Sequence, residues 1–266
     1  MKIGIIGIGV VGSAILKSFN NHKDIITYSY DKYKNIGTID ELYYCEIIFL
    51  SLPTPFSYEL KEYDKSAIND VCEKLNEIKY KGIIVIKSTV EPQTTEKLAK
   101  KYEDLYFCHN PEFLSANSAY DDFEKQKHIV IGIPTIYADK KMFLPEFYKK
   151  YYPSAEISIC SSTESELMKI SINSFYAVKV QFFNEIYLLC EKHTDANFNK
   201  VRDLMLKNGW INPMHTSVPG TDGKLSYGGM CFPKDTNALL EHMKIMDCPH
   251  KVLESVIEER NILRND

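Results

Sequence analysis

The N-terminal part of the chain alternates short apolar runs with amphipathic stretches. Lys2–Ile6, Ile25–Tyr30, Ile47–Leu52, Ile83–Ile86, Leu105–Cys108 and Ile129–Gly132 are rich in β-branched residues. Such runs predict strands buried on both faces, as in a parallel sheet. Between them, Val10–Asn20, Asp64–Lys79 and Pro92–Tyr102 read as helices. Strand–helix alternation implies right-handed crossovers and a doubly wound, Rossmann-type α/β sheet.

After a last strand at Glu156–Cys160 the texture changes. Ser162 and Thr163, followed by Glu164 and Glu166, form a helix N-cap with acidic residues in the first turn. No proline or glycine follows until beyond His193, which predicts one helix about 45 Å long. A second helix is expected at Asn197–Lys207, then a Gly/Pro-punctuated loop from Gly209 to Gly229, then two further helices. The expected organisation is a Rossmann-type domain over residues 1–161 and an all-α central domain over 162–266, without repeats or low-complexity linkers.

Composition narrows the partners. The 266 residues are 44% hydrophobic and 26% charged, ordinary for a globular protein. A net charge of -4 gives no footprint for nucleic acid. No run approaches the roughly 18 to 20 apolar residues of a membrane span. The opening MKIGIIGIGVVGSAIL has the length of a signal peptide, but its glycines fall at motif spacing and it runs straight into a helical pattern. Seven cysteines, odd in number and without a CxxC pair, imply reduced thiols in the cytosol, with neither a disulfide framework nor a metal site.

Gly7-Ile8-Gly9-Val10-Val11-Gly12 lies between a strand and a helix. The first glycine permits a tight turn, the second lets backbone approach a pyrophosphate, and the third allows close helix–strand packing. The helix N-terminus adds amide donors and a positive dipole end. Asp31, 22 residues after Gly9, closes the second strand where a carboxylate binds both ribose hydroxyls. It repels a 2′-phosphate, so the expected cofactor is NAD, with the neighbouring Lys32 in the same site.

Five further segments carry a resemblance. Leu52-Pro53-Thr54-Pro55, Lys87-Ser88-Thr89-Val90, Asn110-Pro111-Glu112-Phe113-Leu114, Glu166-Leu167-Met168-Lys169 through Asn173, and Gly228-Gly229-Met230-Cys231-Phe232-Pro233-Lys234-Asp235 occur in this order. With the glycine turn they make the chain resemble the UDP-glucose/GDP-mannose dehydrogenase family, most closely its UDP-glucose 6-dehydrogenase branch. The resemblance implies a four-electron oxidation of a nucleotide sugar's C6 alcohol to a carboxylate, using two NAD. Stopping such a reaction from releasing an aldehyde requires a covalent handle, and a thiolate supplies it as a thiohemiacetal and then a thioester.

By resemblance Cys231 is that nucleophile, on a turn into a helix with Pro233 at its first position; the helix N-terminus favours its thiolate. Asp235, one turn on, positions the water or base for the alcohol proton. Lys169 and Asn173, an i, i+4 pair on the long helix, stabilise the developing oxyanion and bond the sugar. Glu112 matches the acid/base residue of thioester hydrolysis and Thr89 the threonine that holds a water. Pro53, Thr54, Pro55, Ser88 and Thr89 line the nicotinamide side. Phe113, Leu114, Tyr227, Gly228 and Gly229 join the substrate site, and Lys234 is a peripheral cation near cofactor or substrate phosphate. A homodimer through the long helix is implied.

Three departures stand out. Ala116 replaces a second glutamate, Trp210 stands where relatives carry an arginine, and the chain stops at Asp266, where the family continues into a nucleotide-clamping domain. Lys224 or His215 could replace lost phosphate contacts. A shortened, non-catalytic NAD-binding relative or partner subunit is the alternative reading. A two-electron 3-hydroxyacid dehydrogenase is a third, though it has no use for a nucleophilic cysteine.

Overall fold

In the computed structural model the described residues are 1–137 and 143–264. The chain divides into two compact units, one of Met1–Pro55 with Tyr63–Lys169, the other of Phe56–Glu62 with Ile170–Asp266.

The first unit is built on a seven-stranded sheet. In chain order its elements are β1 (Lys2–Ile6), α1 (Val10–Phe19), β2 (Ile26–Tyr30) and β3 (Ile47–Leu50). A two-stranded hairpin, β4 (Phe56–Ser57) and β5 (Glu62–Tyr63), follows. Then come α2 (Ser66–Glu77), β6 (Ile83–Ile86), α3 (Thr94–Lys101), β7 (Tyr106–His109), α4 (Ala119–Glu124), β8 (His128–Ile133), α5 (Leu144–Tyr151) and β9 (Glu156–Ser161). The sheet order is β2-β1-β3-β6-β7-β8-β9. From β1 the chain passes to β2 on one side and then crosses back to β3 on the other, which makes the gap between β1 and β3 the topological switch point.

Every residue of β3 and β6 is buried, as are Ile3–Ile6 of β1, and alternation splits their apolar side chains between two cores. Ile5, Ile47, Phe49, Ile83 and Val85 face the α1 side, with Phe19, Phe123, Phe147 and Tyr148. Ile6, Ile48, Leu50, Ile84 and Ile86 face the α2–α3 side, with Ile68, Val71, Leu75 and Leu98. Each strand therefore reads as a continuous apolar run. One expectation is corrected: the sheet is not wholly parallel. β7 and β8 pair antiparallel, at His109 and Gly132, while β8 and β9 run parallel. The link through α4 returns β8 in the opposite sense, and a run buried on both faces carries no mark of direction.

The long helix, α6 (Ser162–Cys190), spans 29 residues, about 44 Å. Its start through Lys169 belongs to the first unit and its remainder to the second. The second unit adds α7 (Phe198–Leu206), α8 (Phe232–Ile245) and α9 (Lys251–Leu263). α7 begins at Asn197, whose side chain accepts from Lys200 N and caps it. α8 and α9 share a small core of Leu240, Leu253 and Ile257. Residues Phe56–Glu62 count with this unit: β4 packs on α8, and Lys61 lies 3.7 Å from Glu241. No helix among the described residues is long and apolar enough to cross a membrane.

Candidate active site

The dinucleotide turn lies at the carboxyl end of β1. Gly7 has φ +86, and a Cβ there would stand 2.5 Å from the Ser51 carbonyl oxygen. A Cβ on Gly12 would fall 1.9 Å from Gly7 O, so α1 could not pack down on the turn. Gly9, the N-cap of α1, has no atom within 4 Å of its missing Cβ and no side-chain cap. The N–H groups of Val10, Val11 and Gly12 open the helix above that space, the requirement for a pyrophosphate. The residues present therefore fit a dinucleotide.

Asp31 closes the site by binding backbone. Its carboxylate accepts from Ile8 N at 2.8 Å, Tyr33 N at 3.0 Å and Lys34 N at 3.1 Å. Partial burial pushes the carboxyl up, but these three donors outweigh it and hold it below the usual aspartate value. Lys32 Nζ lies 3.9 Å from Asp70 Oδ2. The cation at the turn is Lys34, whose Nζ donates to Ile8 O at 2.5 Å. No sequence signal marks Lys34; it lies within the tight return of Asp31 onto Ile36, with Asn35 at φ 53.

The loops after β3 and β6 brace one another. Leu52 N donates to Ser88 Oγ at 3.0 Å, Ser88 Oγ donates to Leu52 O at 2.7 Å, and Thr54 Oγ1 donates to Thr89 O at 2.8 Å. Ser88, Thr54 and Thr89 are all buried, while Pro53 is exposed. Ser88 and Thr54 thus join the Leu52–Pro55 loop to the Ser88–Thr89 loop at the sheet's carboxyl edge.

After β7, Glu112 and Lys169 meet. Glu112 Oε1 is 3.4 Å from Lys169 Nζ, and Oε2 accepts from Leu114 N at 2.6 Å. Lys169 is 4% exposed, with its ammonium 5.2 Å from the centroid of the Phe113 ring. A lysine on a helix is ordinarily solvent-facing; here the carboxylate and the ring account for its burial. One turn earlier on α6, buried Glu166 accepts from Thr95 N at 2.7 Å and Thr95 Oγ1 at 2.5 Å. It caps α3, whose own N-cap, Gln93, is left-handed and offers no side-chain bond.

In the second unit the glycines before Cys231 have separate causes. Gly228 is crossed by Arg264, whose guanidinium would lie 2.2 Å from a Cβ there, and Gly229 has φ +78. Arg264 pairs with Asp222, and Arg260 Nε donates to Tyr227 O at 3.2 Å. Sequence reasoning singled out neither arginine; both lie on or just beyond α9, remote in sequence from the loop they hold. Cys231 is the N-cap of α8, with Phe232 first and Pro233 second in the helix, one position later than expected for the proline. Cys231 and Cys248 are exposed, whereas Cys45, Cys72, Cys108 and Cys190 are buried.

Asp235 N donates to Cys231 O at 3.0 Å, the first bond of α8. The Asp235 carboxylate is fully buried, accepting from Asn173 Nδ2 at 2.6 Å and Lys234 Nζ at 2.5 Å. His215 stacks against Tyr176 at 4.8 Å and Phe232 at 5.4 Å, and burial, helped by Lys179, lowers its pKa. Lys224, Ala116 and Trp210 are exposed.

Residues 31–152 match the NAD binding domain, and residues 163–261 the central domain, of the UDP-glucose/GDP-mannose dehydrogenase family. UDP-glucose 6-dehydrogenase from Campylobacter jejuni is 27% identical over 98% of this chain and 72% of its own length. UDP-glucose 6-dehydrogenase TuaD from Bacillus subtilis is 30% identical over 97% of this chain and 54% of its own. This chain thus spans about half the length of several relatives it matches. The fold is that of a UDP-glucose dehydrogenase from Pyrobaculum islandicum, with TM-score 0.80 at 23% identity over 97% of this chain and 67% of that one. With the two family matches covering both units in order, and NAD the dinucleotide of the first, the chain belongs to the UDP-glucose/GDP-mannose dehydrogenase family.

Proposed function

We propose that this chain oxidises the C6 alcohol of a nucleotide sugar, UDP-glucose first among them, to the carboxylate through covalent intermediates on Cys231. The observation that carries the reading is the start of α8: an exposed thiol at the N-cap, with a buried, doubly bonded Asp235 in the first turn. The N-terminal dipole end of a helix favours negative charge, which suits a nucleophilic sulfur and gives no advantage to a merely packed one.

NAD, held by Gly7, Gly9, Gly12 and Asp31 and flanked by Lys34 and the Pro53–Pro55 and Ser88–Thr89 loops, supplies the hydride acceptor when bound. Asp235 directs removal of the alcohol proton, and Lys169 and Asn173 bond the C6 oxygen as charge develops on it. Cys231 Sγ adds to the C6 aldehyde and keeps it from escaping. The resulting thiohemiacetal is oxidised to a thioester. Glu112, with a water held near Thr89, promotes hydrolysis to the carboxylate and the thiol.

Phe175, Phe182 and Leu189 recur at intervals of seven along α6 and are 63%, 48% and 55% exposed. An apolar stripe at this spacing suits a second copy of the same helix, so the reading includes a homodimer. Seven thiols and no disulfide among the described residues suit a reducing compartment, the cytosol.

The test follows NADH absorbance with NAD and a panel of nucleotide sugars. Two NADH per UDP-glucose consumed, lost in Cys231→Ala, are expected. Tight NAD binding with no NADH from any sugar would replace this reading with a non-catalytic NAD-binding relative.

A further inference from the structure

Lys87 follows β6, where a lysine ordinarily reaches solvent. Instead it is 2% exposed. Its Nζ donates to Asn110 Oδ1 at 2.9 Å and to Pro111 O at 3.4 Å, and the Phe123 ring centroid lies 5.8 Å away. Both acceptors are neutral. Burial pushes its pKa down to about 7, against the pull of Glu112. A buried ammonium paired only with dipoles is costly, so the arrangement calls for an account beyond packing.

Asn110 is itself fixed. Its Oδ1 also accepts from the Tyr148 hydroxyl, and its Nδ2 donates to Val130 O at 2.7 Å. The next carbonyl, that of Pro111, takes the second Lys87 bond, and the next side chain is Glu112. We propose that Lys87 is the positioning residue for Glu112: by holding the Asn110–Pro111 segment from beneath, it sets where the Glu112 carboxylate meets Lys169. The proposal rests on the reading above, in which Glu112 serves thioester hydrolysis.

In that step water oxygen bonds to the thioester carbonyl carbon while a water proton passes to Glu112. The carbon–sulfur bond then breaks, Cys231 leaves as thiolate, and the sugar leaves as its carboxylic acid. Both oxidations precede this step. Displacing Glu112 therefore stalls the enzyme as a thioester after two NADH have formed. A lysine with a purely structural role would instead lower stability or cofactor affinity without selecting one step.

The experiment compares full-length wild type, Lys87→Met, Lys87→Gln, Glu112→Gln and the Lys87→Met/Glu112→Gln double variant, using stopped-flow NADH absorbance and intact mass. Lys87→Met should bind NAD within about twofold of wild type and give a rapid burst of two NADH per site. Its steady-state kcat should then fall about tenfold or more, with KM nearly unchanged, the cost of a misplaced group. Its mass should show the acyl adduct on Cys231. The double variant should be no slower than Glu112→Gln, since the two residues act as one unit. Lys87→Gln keeps one donor and carries the test if Lys87→Met does not fold; it should show the same adduct at lower occupancy. Wild-type turnover without adduct in a folded variant, or losses that multiply in the double variant, overturns the proposal. Absence of NADH from the wild type itself overturns the reading on which it rests.

Discussion

Asn173 donates through Nδ2 to Asp235 Oδ2 at 2.6 Å and so ties the middle of α6 to the first turn of α8. Both side chains are buried. Asn173→Ala removes a donor from a buried carboxylate and should cost about 1–3 kcal/mol, read from the urea midpoint. NADH formation should fall by more than the folded fraction does, because the residue also bonds the reacting oxygen in the proposed reaction. Equal losses of folding and activity would reduce Asn173 to a structural tie.

Thiol accessibility should sort the cysteines sharply. Burial pushes Cys45 and Cys72 up to about 12 and Cys108 higher, so they are protonated at any working pH. Iodoacetamide on the native protein should label Cys231 and Cys248, the two exposed thiols, and leave these three until urea is added. Peptide mass spectrometry reads the result. Cys231→Ala should abolish the turnover that yields two NADH per sugar, while Cys248→Ala leaves it intact.

Much of this was legible because both strand cores and the glycine turn are written locally. Ile83–Ile86 was placed to the residue by its apolar run, and Gly7 and Gly12 by the close approaches their missing Cβ atoms permit. What escaped was short or remote. α4, at six residues, is too brief for periodicity to separate from loop. The direction of β8 leaves no trace in its sequence. The contacts of Lys87, Glu166 and Arg264 have no local signature, because their partners Asn110, Thr95 and Asp222 lie between 23 and 71 residues away. Lys34 and its neighbour Lys32 are alike in sequence, and only the fold of the turn takes one ammonium to Ile8 O and the other to Asp70.

Asp31 binds three backbone N–H groups of the turn that receives the cofactor. Asp31→Ala should therefore loosen that turn as well as remove a ribose partner. Charge-assisted bonds of this kind contribute about 1.5–3 kcal/mol, so NAD affinity should fall at least about tenfold by calorimetry. Asp31→Asn should weaken NAD less and narrow the preference against NADP, since the charge that repels a 2′-phosphate is gone while Lys34 remains. Unchanged discrimination in Asp31→Asn would remove Asp31 as its source.

Glu166 gives the first unit a pH dependence of defined sign. Burial raises its pKa from 4.5 to about 7, with the two Thr95 bonds opposing in part. Between those values the folded carboxyl keeps its proton while the unfolded one has lost it. The unfolded state then binds fewer protons, so this group's contribution to stability falls as pH rises through the window. The full change is on the order of 3 kcal/mol. The wild-type curve alone cannot isolate it, because burial pushes His109 down to about 3, and a lowered histidine makes stability rise between there and its ordinary value. The difference between Glu166→Gln and wild type cancels His109. That difference, from urea unfolding at fixed pH, should climb from about pH 4.5 to about pH 7 and then level. A flat difference would mean that Glu166 ionises freely in the fold, and the cap on α3 would then be a carboxylate throughout.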